Sequence, residues 1–251
     1  MIRLLQKSAR FTWNSLTKLT DFKSAQYPNL RQNTANFKIN YGLPHRLELD
    51  FDVPYIAIYR SSTAVSSSGI GDADFGIKWN FHSKTSGSHF PACSASLYVE
   101  LPTGSPKQQL GSGLFDYWLN FIAQQPFTTK TRLNANLGVL FAGNTSTGVV
   151  GVDTTRGHVY TGGISILHDF DARFTIGGEI YGGVADTPGL GRKQLQGMVG
   201  GQINLRPNLA LTLGLIVGKY EASPQIGGQI GLAMDLPVVF RPSTLLRFAV
   251  R

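Results

Sequence analysis

The chain has 251 residues, of which 42% are hydrophobic and only 15% charged, with 29 glycines and a single cysteine. No uninterrupted apolar run approaches the roughly 20 residues of a membrane-spanning helix, so helical spans are excluded; Cys93 alone permits neither an internal disulfide nor a thiol-clustered zinc site. The formal charge of +8 is carried by the two ends of the chain, so its neutral middle offers no basic stripe of the kind that holds nucleic acid.

The opening stretch, MIRLLQKSARFTWNSL, has a basic start but lacks the apolar centre of a signal peptide, so either the protein is not exported or its true beginning lies upstream. Within it, ARFTWNSLTKL alternates only at Phe11 and Trp13. Residues 1–34 are therefore read as a basic N-terminal segment, 35–236 as the body, and 237–251 as a C-terminal tail.

From residue 36 onward a period of two takes over, the signature of strands with one apolar face. The segments are 36–41, 46–59, 71–82, 91–101, 116–127, 131–143, 158–168, 173–184, 193–206, 209–219 and 225–236. In 46–59, Leu47, Leu49, Phe51, Val53, Tyr55, Ala57 and Tyr59 share one side, and Glu48, Asp50 and Asp52 the other. In 71–82, Phe75, Ile77, Trp79 and Phe81 oppose Asp72, Asp74, Lys78 and Asn80. In 209–219, the leucines at 209, 211, 213 and 215 oppose Ala210, Thr212 and Gly214.

A soluble barrel or sandwich with its apolar face inward writes the same pattern as a transmembrane barrel with that face on lipid. Length separates them: a tilted spanning strand takes about 9 to 11 residues and a globular strand most often 5 or 6. Most of the segments here have 11 or more. The connections also alternate between short (GLPH, TTK, DFDA, RPN) and long (RSSTAVSSSGI, LPTGSPKQQLGSGLF, NTSTGVVGVDTTRG), as periplasmic turns and extracellular loops do. Tyrosines, tryptophans and phenylalanines gather near segment ends, where the membrane boundary favours them. The fold expected is all-β, an antiparallel transmembrane β-barrel of about 12 strands, 11 of them clearly readable. Parity requires one more strand at the N-terminus. It is either missing, through a truncated or misassigned start, or supplied in degenerate form by residues 8–20.

The run NYGLPHRLELDFDVPY, then GIGDADFGIKWNF, then ASLYVELPTGSPKQQLGSG followed by LNANLGVLFAG, resembles the outer-membrane family named for the MetA pathway of phenol degradation, a group of transporter-like barrels. The resemblance covers roughly residues 35 to 236 and rests on an ordered set: a YGL..RLEL hairpin, a G.GD strand opening, and LPTG followed by a G.G segment. It implies a Gram-negative outer-membrane location, the lipid bilayer as partner, and transport of small organic solutes, hydrophobic or aromatic ones among them. The end of the chain departs from the usual terminal aromatic, with Phe240 the nearest residue of that kind.

No constellation for catalysis, cofactor or metal binding emerges: there is no Gly-x-Ser-x-Gly elbow, no His-x-x-x-His spacing, and no Lys-Ser/Thr pair after the glycines at 69 and 71. No enzyme activity and no cofactor are expected. A barrel of about twelve strands encloses a bore between those of side-chain-filled eight-stranded barrels and open sixteen-stranded porins. Glu48, Asp50, Asp52, Asp72, Asp74, Lys78 and Glu100 face that bore from neighbouring strands, as a charged constriction that selects by sign or as residues that solvate and brace the wall. A structural or surface-binding barrel that carries no solute, and a soluble lipid-binding barrel, are the alternative readings.

Overall fold

A computed structural model of the chain describes residues 8–20, 30–60, 65–84, 89–145, 154–186, 194–220 and 223–237. The strands within them are β1 (Ser8–Thr20), β2 (Leu30–Leu43), β3 (Leu47–Arg60), β4 (Val65–Ile70), β5 (Ala73–His82), β6 (Ala92–Leu101), β7 (Asp116–Pro126), β8 (Thr131–Thr145), β9 (Thr154–Asp169), β10 (Phe174–Ala185), β11 (Gln194–Arg206), β12 (Leu209–Gly218) and β13 (Ile226–Pro237). No described helix is long and apolar enough to cross a membrane. Crossing falls to the strands.

All of the strand pairs are antiparallel, each strand bonding to its neighbour in sequence from β5 to β13. The sheet then closes, because β1 pairs on one side with β13 (Ser8 opposite Pro237) and on the other with β2 (Ala9 opposite Tyr41), and β2 pairs with β3. Closure leaves the spanning strands no edge to hydrocarbon, which has no water to satisfy it; among the described residues only β4, beyond the bulge towards the long-loop rim, is paired on one side alone. Strands β4 and β5 are two halves of one: β4 pairs with residues 55–60 of β3, and β5 with residues 47–52. The wall therefore has twelve strands, and parity is met by residues 8–20, the degenerate alternative. The wall thus begins well before residue 35. Alternation hides β1 because Ser15 and Thr17 interrupt the set that stands in register with the outward residues of β13, while the ladders on both flanks hold it in place. The tail beyond Pro237, Phe240 included, lies outside the described residues.

The orientation is that of a membrane protein. Leu137, Val199, Leu215, Ile180 and Phe121 are more than half exposed on the outer surface, whereas no large side chain among the described residues is fully enclosed. A soluble barrel of this size would seal its Leu and Phe in a dry centre; among the described residues Leu110 is the one Leu or Phe that is buried. A strand of 14 residues such as β3 is about 45 Å long, and tilted by about 40° it rises past an apolar band of about 25 Å. Short connections (44–46, 127–130, 170–173, 207–208) lie on one rim and the long 102–115 loop on the other. The start of β1 and the end of β13 meet on the short-turn rim.

One stretch read as loop is a strand. VSSSGI, within the serine-rich run after β3, forms β4. Two residues of β3, Val53 and Pro54, stand opposite three, Gly71 to Ala73, so the wall bulges where β4 passes into β5. Gly71 donates its N–H to the Pro54 carbonyl at 2.8 Å there.

Candidate functional site

Because side chains alternate across a strand and the registers of β2, β3, β5, β6 and β7 are continuous, their inward residues fall into three tiers. Nearest the long-loop rim, Lys38, Asp52, Asp74, Glu100 and Asp116 stand side by side. Two residues further in come Asn40, Asp50, Gly76, Tyr98 and Trp118, and two further again Gly42, Glu48, Lys78, Ser96 and Asn120. Glu48, Asp50, Asp52, Asp74, Lys78 and Glu100, all read from alternation, are brought onto this one surface. Sequence reasoning missed Lys38 and Asp116, which extend it on either side.

The tiers differ in charge. In the outermost, four carboxylates meet one ammonium: Lys38 Nζ lies 2.6 Å from Asp52 Oδ2, and Asp74 and Glu100 make no ion pair among the described residues. The middle tier buries Asp50 to 7% exposure, where it accepts hydrogen bonds from Asn40 Nδ2 and from the Tyr98 hydroxyl, the latter at 2.7 Å. The innermost is neutralised by the Lys78–Glu48 pair. Acid therefore accumulates towards the long-loop rim.

Asp72 has a different task. The bulge at Gly71 aims its carboxylate inward at a depth where the 102–115 loop crosses, and it accepts the Gly104 N–H at 2.8 Å and the Ser112 N–H at 2.6 Å. Thr103 adds a second fastening, donating its hydroxyl to the Gly71 carbonyl at 2.7 Å and accepting the Ala73 N–H at 3.0 Å. Gly111 is required beside the carboxylate, since a Cβ there would sit 2.2 Å from Asp72 Oδ1. The loop then runs along the inner face of the β3–β4 hairpin: Ser67 Oγ donates to the Gln108 carbonyl at 2.9 Å, and Leu110, only 3% exposed, abuts Gly69. Ser67 and Gly69 pair with Ile58 and Ile56, on the face opposite the exposed Tyr55, Tyr59 and Ile70. The loop thus folds into the mouth of the barrel. The G.GD and LPTG…G.G motifs, far apart in sequence, are the two halves of this clasp.

Aromatic rings line the wall below the clasp. The Tyr98 ring crosses β5 at Gly76 to reach Asp50, and a Cβ on Gly76 would lie 2.3 Å from two of its carbons. Trp118 lies over Gly138 of β8, and Tyr181 of β10 over Gly163 of β9, where a Cβ would come within 2.6 Å and 3.1 Å of the respective rings. Among the described residues, no group of three or more His, Cys, Asp or Glu is placed to hold a metal ion.

The model of a family described as "Putative MetA-pathway of phenol degradation" matches residues 9–232. Among solved structures, an outer membrane channel from Pseudomonas putida F1 superposes with a TM-score of 0.70 at 14% identity, covering 94% of this chain and 97% of that one. The KdgM porin, solved in complex with disordered oligogalacturonate, gives 0.57 at 10% identity over 90% and 99% of the two chains, and the NanC porin 0.56 at 8% over 92% and 100%. At these identities the likeness is one of fold: an outer-membrane β-barrel traversed end to end. No curated protein sequence matches the chain.

Proposed function

The chain belongs to the MetA-pathway phenol-degradation family, and from that premise we propose that it is a passive outer-membrane channel for small organic solutes, aromatic ones among them, that favours neutral and cationic species over anions. The family and the fold of the Pseudomonas putida channel support the transport role. Twelve strands spaced about 4.8 Å and tilted by about 40° enclose a cylinder roughly 24 Å across between backbones, which side chains and an inward loop narrow to small-molecule size. The reading includes no catalytic step.

The observation that carries the charge preference is the outermost tier, with Asp52, Asp74, Glu100 and Asp116 against Lys38. Four carboxylates beside one ammonium on a single wall set a negative potential at the mouth, and a charged lining selects permeant species by sign. Glu48 and Lys78 offset one another deeper in. Asp50 and Asp72 brace the wall and the loop, and contribute to the field from behind their hydrogen bonds.

Planar-bilayer recording on the refolded full chain tests both parts. Discrete current steps are expected, with a reversal potential in a salt gradient that marks preference for the cation. The double variant Asp74→Asn/Glu100→Gln should move that potential towards zero while steps persist. A barrel that inserts but passes neither current nor solute would overturn the transport reading in favour of a structural or surface-binding barrel. Steps with an anion preference would overturn the role given to the outer tier.

A further inference from the structure

We propose that Tyr98, Trp118 and Tyr181 form a stacking track for flat aromatic rings along one side of the bore; this rests on the channel reading above and names where its solute travels. The placement follows from register. Tyr98 and Trp118 are directly opposed on β6 and β7, with ring centroids 6.2 Å apart. Trp118 lies over Gly138 on β8, whose partner Thr161 is two residues from Gly163 on β9, where Tyr181 lies. Such diagonal positions are about 7–8 Å apart on one face. Seats and rings therefore succeed one another from β5 to β10, with the Asn136 amide, directly opposite Gly163, beside the last seat.

Gly76 is what allows the Tyr98 ring to lie along the wall instead of standing out from it. Any side chain at Gly76 or Gly138 would occupy the ring's place. A ring laid flat has one face against backbone and the other towards the bore; Tyr98, Trp118 and Tyr181 are each half-buried. Trp118 meets its glycine by an edge: its Nε1 is turned into the wall and has no hydrogen-bond partner among the described residues, nor has Asn120 Oδ1 beside the same glycine. A buried donor left unmade costs about 1–3 kcal/mol. An indole whose role was to donate a hydrogen bond to a solute would point Nε1 into the bore; here Nε1 is shut off, and what the ring shows the bore is carbon. Tyr98 is held along the wall by its hydroxyl on Asp50. What such faces recognise is a planar π-system, by offset stacking, and an alicyclic molecule of equal size and polarity gains less.

Blockade of single-channel current by phenol, compared with cyclohexanol at equal concentration, tests the track in the full chain. Phenol should dwell longer by roughly two- to tenfold, the weight of one aromatic stacking pair. Trp118→Leu and Tyr181→Leu should each erase much of that ratio, whereas Tyr98→Phe, which keeps the ring but frees it from Asp50, should lower it less than either. A second measurement does not depend on those leucine variants folding. In a Trp13→Phe/Trp79→Phe chain, Trp118 is the sole tryptophan, and its fluorescence should be quenched by 4-nitrophenol and restored by phenol but not by cyclohexanol. No current steps at all would sink the channel reading itself. Steps with equal dwell for phenol and cyclohexanol, or a Trp118 signal indifferent to both, would sink the track and leave the channel standing.

Discussion

The two halves of this barrel are built by opposite means. From β2 to β8 the inner wall is dressed with side chains that hold one another: ion pairs at Lys38–Asp52 and Lys78–Glu48, the Asn40–Asp50–Tyr98 relay, and the Asp72 clasp. From β9 to β13 it is largely bare backbone. Glycine doublets recur at 162–163, 177–178, 182–183, 200–201 and 227–228, and Glu179 is the one ionised type facing in at mid-wall. On the outer surface of that half, Gly200, Gly201, Gly214 and Gly228 thin the wall into an apolar groove of about 550 Å³ floored between Ile176, Leu213 and Ile230. The same antiparallel ladder supports both halves. The comparison teaches that closure is the work of the backbone, and that side chains are concentrated where the bore is narrowed and its charge is set.

The sharpest way to break that contrast is Asp72→Ala. It deletes the acceptor for two N–H groups and frees the 102–115 loop, at a cost of about 3 kcal/mol for buried donors stripped of a charged partner. Urea unfolding in detergent, read by gel mobility, should show the loss. Trypsin offers an independent check: Lys107 sits at the tip of the clasped loop, and cleavage after it should accelerate sharply in the variant. If mobility, stability and cleavage match the parent chain, the loop is held by something other than the clasp.

Next in size is a pair of matched glycine substitutions, one in each half. Gly76→Ala forces the Tyr98 ring off the wall, since the new Cβ would lie 2.3 Å from it, and should cost about 1–3 kcal/mol as an overpacked contact. Gly228→Ala meets nothing closer than 3.9 Å and should stay within about 0.5 kcal/mol of the parent, as open-site changes do. Equal costs for the two would mean that the glycines in both halves serve one purpose.

How much of this was legible in the sequence depended on whether one strand sufficed to show it. The outward apolar faces and the inward acids at 48, 50, 52, 74 and 100 needed only alternation. Lys38 needed one step more: a three-residue connection joins Leu43 to Leu47, and counting back along the hairpin sets Lys38 opposite Asp52. The clasp was not readable, because Asp72 and Gly104 meet only once the 102–115 loop is folded back on the wall, and the seat of Trp118 turns on the direction its side chain takes across the β7–β8 hairpin, which alternation does not give. β1 and β4 failed for a different reason. Their serines and threonines carry little apolar signal, and it is hydrogen bonding to committed neighbours that makes them strands.

The smallest effects divide stability from permeation. Lys78–Glu48 in the bore and Arg132–Asp169 at the short-turn rim are equally exposed, with side chains 32% and 33% accessible in the first pair and 33% and 34% in the second. Ion pairs that open to water contribute about 0–1 kcal/mol, so Lys78→Met and Arg132→Gln should be close to indistinguishable in urea. Their positions differ, however. At the rim, bulk ions screen a charge within about 10 Å at 0.1 M salt, and losing Arg132 should leave the reversal potential nearly unmoved. In the bore, Lys78→Met leaves Glu48 uncompensated beneath the acidic tier, which should raise cation preference above that of the parent. Should Arg132→Gln shift the potential as far as Lys78→Met does, the charge filter extends to the short-turn rim and is not confined to the side-chain-dressed half near the long loops.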